Sequence, residues 1–283
     1  MAVHLSTVET VLEYQVREPT HFCFNLEAAH WPTQSILSER LAVSSNVAVH
    51  SFTDPGSGNR FFRFDAQPGP LLVGYKAQVE VYSQQIDEHL PEAPVGQVPD
   101  DIFHYLMPSR YCESDVLGSA AQQLFGNEPP GLSRVRTIVE WIHESISYRP
   151  GSSNSTTTAQ EVFVQRAGVC RDFAHLGIAL CRALNIPARL VVGYVWFDEP
   201  PQDFHAIFEA WIGDRWVLVD PTGMAPVDRL VRIGTGRDAK DVAFSTFFGA
   251  VEMTRKEITV AEADPRGRVP SGKPSVQLAA EGI

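Results

Sequence analysis

Three residues in this chain have the types and the settings for nucleophilic chemistry. The first is Cys170, in Ala167-Gly168-Val169-Cys170-Arg171-Asp172-Phe173. A glycine turn runs there into a segment whose apolar residues Phe173, Leu176, Gly177, Leu180 and Leu184 share one helical face. A thiolate at such a junction faces unpaired backbone N–H groups and the positive end of the helix dipole. The same N–H groups can receive the negative charge of a tetrahedral intermediate. The second is His205, in the alternating run Phe204 to Ile212, which reads as a strand with Ile207, Glu209 and Trp211 on the face of His205. The third is Asp220, which closes Trp216-Val217-Leu218-Val219-Asp220 after the tight turn Gly213-Asp214-Arg215. Taken singly, each has an ordinary reading: a buried thiol, a structural strand histidine, a turn-forming aspartate before proline. Taken together they supply a nucleophile, a base and a carboxylate that fixes the tautomer of the base.

Other polar residues near these elements are weaker candidates. Arg171 and Asp172 adjoin the cysteine and are expected to contact substrate, as is Trp196 if it lines an acyl pocket. Glu209, on the face of His205, could tune it. His175 lies off the face of Cys170 and reads as structural, and Cys181, about three turns further on, as a core thiol. No HExxH or paired-cysteine spacing occurs, and Cys23, Cys112, Cys170 and Cys181 are scattered, so neither a metal centre nor another cofactor is expected.

The elements that must position these groups follow from periodicity. Residues 8–86 hold short alternating stretches (Val8 to Val16, Phe61 to Phe64, Leu71 to Val81) separated by Asp54-Pro55-Gly56-Ser57-Gly58-Asn59 and Gln67-Pro68-Gly69-Pro70. That pattern predicts an antiparallel β-sandwich or small barrel. Pro91 to Pro99 reads as a linker. Beyond it, helices are expected over Ser133–Tyr148, with Ser133 as N-cap, over Ala159–Arg166 and over Cys170–Leu184. Strands are expected over 188–196, 204–212 and 215–219. The fold class is therefore α+β, divided as a β-rich region 1–90, a linker 91–99, a catalytic domain 100–255 and a C-terminal tail 256–283, poorly packed from about Asp264.

The run GVCRDFAHLGIALCRALNIPARLVVGY followed by DFHAIFEAWIGDRWVLVDPTG resembles the core of the transglutaminase-like superfamily, which includes transglutaminases and bacterial cysteine proteases. The resemblance covers about residues 130–235. It implies a papain-like core in which a helix bearing Cys170 packs on an antiparallel sheet carrying His205 and Asp220. The N-terminal region, with its Ser38-Glu39-Arg40-Leu41-Ala42-Val43 stretch, resembles the β-rich domain that precedes this core in bacterial members. Val169-Cys170-Arg171 departs from the Gln-Cys-Trp of animal transglutaminases, and no EF-hand-like loop occurs, so crosslinking and calcium dependence do not follow from the likeness.

The expected activity is cleavage or exchange of an amide bond through a thioester on Cys170, on a peptide, protein or small amide. The alternative is a transglutaminase-like binding or scaffold protein without catalysis. An arylamine N-acetyltransferase would use the same three groups, but no feature for coenzyme A is visible. The 283 residues carry a formal charge of -11, which argues against nucleic acid or an anionic membrane as main partner. No apolar run approaches the roughly 20 residues of a membrane span, and the N-terminus lacks a basic segment followed by an apolar one, so a cytoplasmic location is expected.

Overall fold

The computed structural model describes residues 2–44, 47–84, 87–263 and 275–279. The N-terminal region begins with β1 (Ala2–Val16), whose inward side chains Val8, Leu12, Tyr14 and Val16 alternate with less buried ones. The region continues with β2 (Thr20–Phe24), β3 (Gln34–Val43), β4 (His50–Thr53), β5 (Arg60–Ala66) and β6 (Gly69–Gln84). β1 pairs antiparallel with β6 from Ala2↔Ser83 to Val16↔Gly69, and β3 pairs with β6. β2, β5 and β4 form a second sheet. Tyr14, Phe22, Phe24, Phe62 and Phe64 share one core, in which aromatic rings stack at centroid separations of 5.2 to 5.9 Å. The turn expected at 54–59 is closed by Asp54, whose carboxylate accepts the N–H and hydroxyl of Ser57 at 2.8 and 2.7 Å.

The stretch read as a linker is packed rather than free. Gly131 donates to the Glu92 carboxylate at 2.9 Å and Arg134 to its other oxygen at 3.2 Å, while Gly213 N–H donates to Pro91 O at 2.9 Å. Val98 enters a small core with Trp211 and Trp216. Proline content alone did not reveal the partners that hold this strap down.

The helical layer comprises α1 (Asp100–Phe103), α2 (Gly118–Phe125) and α3 (Leu132–Ser145). Val135, Ile138, Val139 and Ile142 of α3 are fully buried, at the expected spacing. Ser133 is not its cap; Gly131 holds that position at φ 127°, and the Ser133 hydroxyl turns back to Pro129 O at 3.1 Å. The helix also stops three residues earlier than expected, because Ser147 and Tyr148 form β7 (Ser147–Tyr148). Then come α4 (Ala159–Gln165), closed at its start by a capping box of Thr158 and Glu161, and β8 (Ala167–Gly168), which pairs in parallel with β7. The helix α5 (Cys170–Ala183) ends at Asn185, which takes a left-handed φ of 64°.

α5 lies across β9 (Ala188–Tyr194) and β10 (His205–Ile212), which with β11 (Arg215–Asp220) and β12 (Val231–Gly236) make the antiparallel core sheet. The fold is thus α+β, with the cysteine helix packed on an antiparallel sheet. Gly177 sets how close they come, since a Cβ there would lie 2.4 Å from Cε1 of the buried Phe208 ring. Alanine would gain about 1 kcal/mol of helix propensity. Overpacking, at about 1–3 kcal/mol, is expected to exceed that gain, so Gly177→Ala should lose up to about 2 kcal/mol net, read as a shifted denaturant midpoint at constant m-value.

After β12 the chain returns to the N-terminal region. β13 (Ser245–Phe248) adds to β2, and β14 (Val251–Glu262) pairs with β1 from Val16↔Val251 to Ser6↔Glu262. Residues 256–262, assigned to the tail, are therefore sheet, and Ile258 and Val260 are buried. Their alternating pattern is plain, but the partner strand lies some 250 residues upstream. β15 (Ser275–Ala279) pairs with both β11 and β6, so one sheet, ordered β12-β9-β10-β11-β15-β6-β1-β14, runs through both regions. The remainder of the expected tail, 264–274 and 280–283, lies outside the described residues. Among the described residues no helix is long and apolar enough to cross a membrane.

Candidate active site

Cys170 is the first residue of α5, half-buried, with extended Val169 before it at φ -114° and ψ 179°. A valine cannot cap a helix, and Asp172 substitutes by accepting the Val169 N–H at 2.8 Å. The second Asp172 oxygen accepts from Arg171 Nε and Nη2 at 3.2 and 2.8 Å, and the Ser153 hydroxyl closes on the first. Arg171 also reaches Asn154 O at 2.7 Å. The two residues together tie the polar loop before α4 to the start of the cysteine helix. Asp172 has no exposed surface, so it holds the loop and helix start rather than facing a ligand. Arg171 does line the cleft described below.

His205 opens β10 opposite Gly193 of β9 and is 1% exposed. Its Nε2 donates to Asp220 Oδ2 at 2.9 Å. Asp220, the last residue of β11, is wholly buried. It is held by the Thr222 N–H and hydroxyl at 2.9 and 2.7 Å and by the Ala225 N–H at 3.3 Å. That set of donors keeps the carboxyl ionised although burial opposes it, and its pKa is lowered by His205 and Thr222. The other ring nitrogen of His205, Nδ1, is buried and closes no hydrogen bond. Since Nε2 belongs to Asp220, Nδ1 is the nitrogen left for the Cys170 side chain, with which the imidazole interacts. Burial works against the imidazolium, but the charge and hydrogen bond of Asp220, reinforced by Cys170, raise the pKa of His205 to about 10.

Cys170 and His205 open on a cleft of about 570 Å³ between the core and the N-terminal sheets. Phe204, Phe244 and Ile233 give it apolar walls, while Tyr111 and Arg171 stand on its polar side. Lys256 of β14 forms an ion pair with Asp203, two residues before His205, at the rim. Two of the other three thiols are set apart: Cys112 and Cys181 are fully buried, and burial pushes Cys112 up to about 12 and Cys181 higher still, while Cys23 is half-buried on β2.

The remaining candidates fall elsewhere. Trp196 does not line the cleft; β9 ends at Tyr194, and Trp196 packs against the core that includes Val8, Tyr75 and Val79. Glu209 does not reach His205. It is buried between Arg189, at 2.7 Å from Nε, and Arg232, at 3.2 Å from Nη1. His175 accepts the Ala239 N–H on Nε2 at 3.1 Å and stacks on Tyr111, with burial lowering its pKa to about 4. Tyr148, absent from the sequence-based set, has its hydroxyl in interaction with both the side chain and the backbone N–H of Cys170. Its only sequence context was the end of an expected helix. Among the described residues no three His, Cys, Asp or Glu side chains gather as a metal site.

A thiol at a helix start, facing a histidine held by a strand-end aspartate on an antiparallel sheet, defines a papain-like cysteine architecture. Comparison with known proteins gives the family. Residues 118–221 match the transglutaminase-like superfamily core, and residues 6–101 match the bacterial transglutaminase N-terminal domain. A candidate cysteine protease from Cytophaga hutchinsonii, known from its crystal structure, is 41% identical, with a TM-score of 0.90 over 93% of this chain and 92% of that one. The chain belongs to the transglutaminase-like superfamily. An uncharacterised protein of Mycobacterium tuberculosis is 34% identical over 143 residues, 46% of this chain and 46% of that protein. The chain thus spans about half the length of the curated relatives it matches. A protein-glutamine gamma-glutamyltransferase of Pseudomonas aeruginosa is 30% identical over 100 residues, 31% of this chain and 15% of that protein.

Proposed function

We propose that this protein is a thiol-dependent amide-bond enzyme that works through a thioester on Cys170, with His205 as acid and base and Asp220 as the residue that orients the histidine. The observation that carries this reading is the buried pair of His205 Nε2 and Asp220 Oδ2 at 2.9 Å, which leaves Nδ1 for the Cys170 side chain at the start of α5.

The raised pKa of His205 favours a resting thiolate–imidazolium pair. The sulfur attacks the carbonyl carbon of a peptide, protein or small amide, and the negative charge moves to the carbonyl oxygen at the start of α5. His205 gives its proton to the departing amine and then takes one from water or from an incoming amine. The outcome is hydrolysis in the first case and acyl transfer in the second. The apolar walls of Phe204, Phe244 and Ile233 suit an acyl group without charge.

Trapping tests the reading. Incubation with p-nitrophenyl acetate is expected to leave an acetyl adduct on Cys170, found by peptide mass spectrometry, and a primary amine should divert turnover to the acetylated amine. An adduct confined to other residues, with Cys170 unmodified, would falsify the thioester mechanism.

A further inference from the structure

The cleft beside Cys170 is an uncovered edge of the main core. In the pairing of β9 with β10, Ala206 stands opposite Val192 and Phe208 opposite Leu190, so these four side chains share one face of the sheet. α5 covers that face at Phe208, against Gly177, and starts at Cys170. Leu190, Val192 and Ala206 also line the cleft, and Val192 is only half-buried. The facing wall is Ala239, Val242, Ala243 and Phe244, from the segment between β12 and β13. Two buried titratable groups that the proposed chemistry leaves unused hold this wall in place. Asp238 accepts the Tyr111 N–H at 2.9 Å and the Lys240 N–H at 3.0 Å, and His175 accepts the Ala239 N–H at 3.1 Å. Phe244 is fixed as well: its carbonyl accepts the Asn25 N–H at 3.1 Å, and its ring stacks on Phe204 with centroids 5.1 Å apart. The apolar seat is therefore preformed, as small-molecule sites generally are.

We propose that this seat selects acyl donors with a bulky hydrocarbon side chain, which lies against Val192, Ala206 and Ala239 while the carbonyl carbon meets Cys170. The proposal rests on the thioester reading above and names its substrate class. The charged groups around the cleft are already paired, Arg171 with Asp172 and Lys256 with Asp203. A charged acyl side chain would have to break one of these pairs or go without a partner, whereas a hydrocarbon chain removes apolar surface from water. One polar atom departs from the pattern. Asn25 lines the cleft, and its Nδ2 donates to Arg60 O at 2.7 Å, but its Oδ1 is buried and closes no hydrogen bond among the described residues. That oxygen lies against Gly234, where a Cβ would stand 2.9 Å from it.

The p-nitrophenyl esters from acetate to octanoate keep one leaving group and vary the acyl chain alone. Each releases p-nitrophenolate as the thioester forms. With the wild-type protein, kcat/KM for acylation is expected to rise roughly fourfold per methylene until the seat is full. Ala239→Leu fills the seat from the wall and Val192→Phe from the floor. Each should flatten the rise and lower the octanoate-to-acetate ratio by about 10-fold or more. The ester of 6-amino-6-oxohexanoic acid matches that of 6-methylheptanoic acid in shape but ends in a carboxamide, and it should react about 10-fold more slowly or worse. A carboxamide ester that outpaces its hydrocarbon twin would mean that Asn25 Oδ1 takes an N–H donor from the substrate, and the hydrocarbon assignment is overturned. A ratio that neither substitution changes would put the chain elsewhere, with the same consequence. A flat wild-type series with Cys170 acylated also sinks the proposal and leaves the thioester reading standing, and this arm needs no variant to fold. If no ester leaves an adduct on Cys170, the thioester reading falls and takes the proposal with it.

Discussion

Asp220→Asn is expected to lower kcat by about 10⁴-fold while leaving the fold in place, the scale seen when the orienting carboxylate of a nucleophile–base triad is made neutral. The side chain is nearly isosteric, so the effect has to come from charge and tautomer. With Asp220 ionised, His205 holds its proton on Nε2 and presents Nδ1 towards Cys170. An amide at that position can donate to Nε2 from its NH₂ group, and the imidazole would then be fixed in the tautomer that carries its proton on the wrong nitrogen. Burial, which works against the charged ring, would then be opposed by Cys170 alone, and the thiolate would lose its counter-ion.

The same substitution should leave a signature in stability against pH. His205 has a folded pKa raised from 6.5 to about 10, so its contribution is fully present below 6.5 and is lost as pH rises towards 10. Asp220 is lowered from 3.8, so its contribution is present above 3.8 and is lost as pH falls through the lower folded value. The pair therefore stabilises the protein most between about pH 4 and 6.5, by an amount on the order of a few kcal/mol. The stability gap between the wild type and Asp220→Asn, followed by denaturant unfolding, should be widest in that window and narrow steadily from pH 6.5 to 10. A gap that stays constant over this range would mean that the two groups are not coupled.

How much of this site could be read from the chain depends on how each residue announces itself. Cys170, His205 and Asp220 stand at element boundaries that local periodicity marks: a glycine before an amphipathic helix, the start of an alternating run, and the last residue before Pro221. Glu209 was placed on the face of His205 by the same alternation, which was sound. Four residues along a strand are about 13 Å, however, too far for contact. Its true partners sit on other strands, Arg189 on the adjacent β9 and Arg232 on β12 beyond it, and cross-strand register is not written in the local pattern. Tyr148 was hidden for a related reason. A two-residue parallel bridge spanning 20 positions has no periodicity of its own, and the residues before it are helical. The return of β13 and β14 to the N-terminal sheets is the largest case, since their partners are the first strands of the chain.

That missed network carries the second large effect, on stability. Glu209 has no exposed surface and is held well below its usual range, at about 2: burial opposes its charge, but Arg232 and Arg189 outweigh that penalty. Each guanidinium also lies over an indole face, Arg189 at 3.9 Å from the centre of Trp216 and Arg232 at 4.5 Å from that of Trp31. The ion cluster joins β9, β10 and β12 and extends to the N-terminal region through Gln34, which exchanges hydrogen bonds with the Arg232 backbone at 2.8 and 3.0 Å. Glu209→Ala would leave two buried cations without their shared anion, at an expected loss of about 3–5 kcal/mol. For a chain of this size that is a fall of about 10 °C in Tm. The loss measures the removal of that anion from between two buried cations, not the net worth of the cluster. Replacing all three together, as Glu209→Leu with Arg189→Met and Arg232→Met, removes the buried charges and should recover most of the stability. If the triple variant proves as unstable as Glu209→Ala, the cluster is instead a favourable interaction in its own right, and the two arginines are held for more than charge balance.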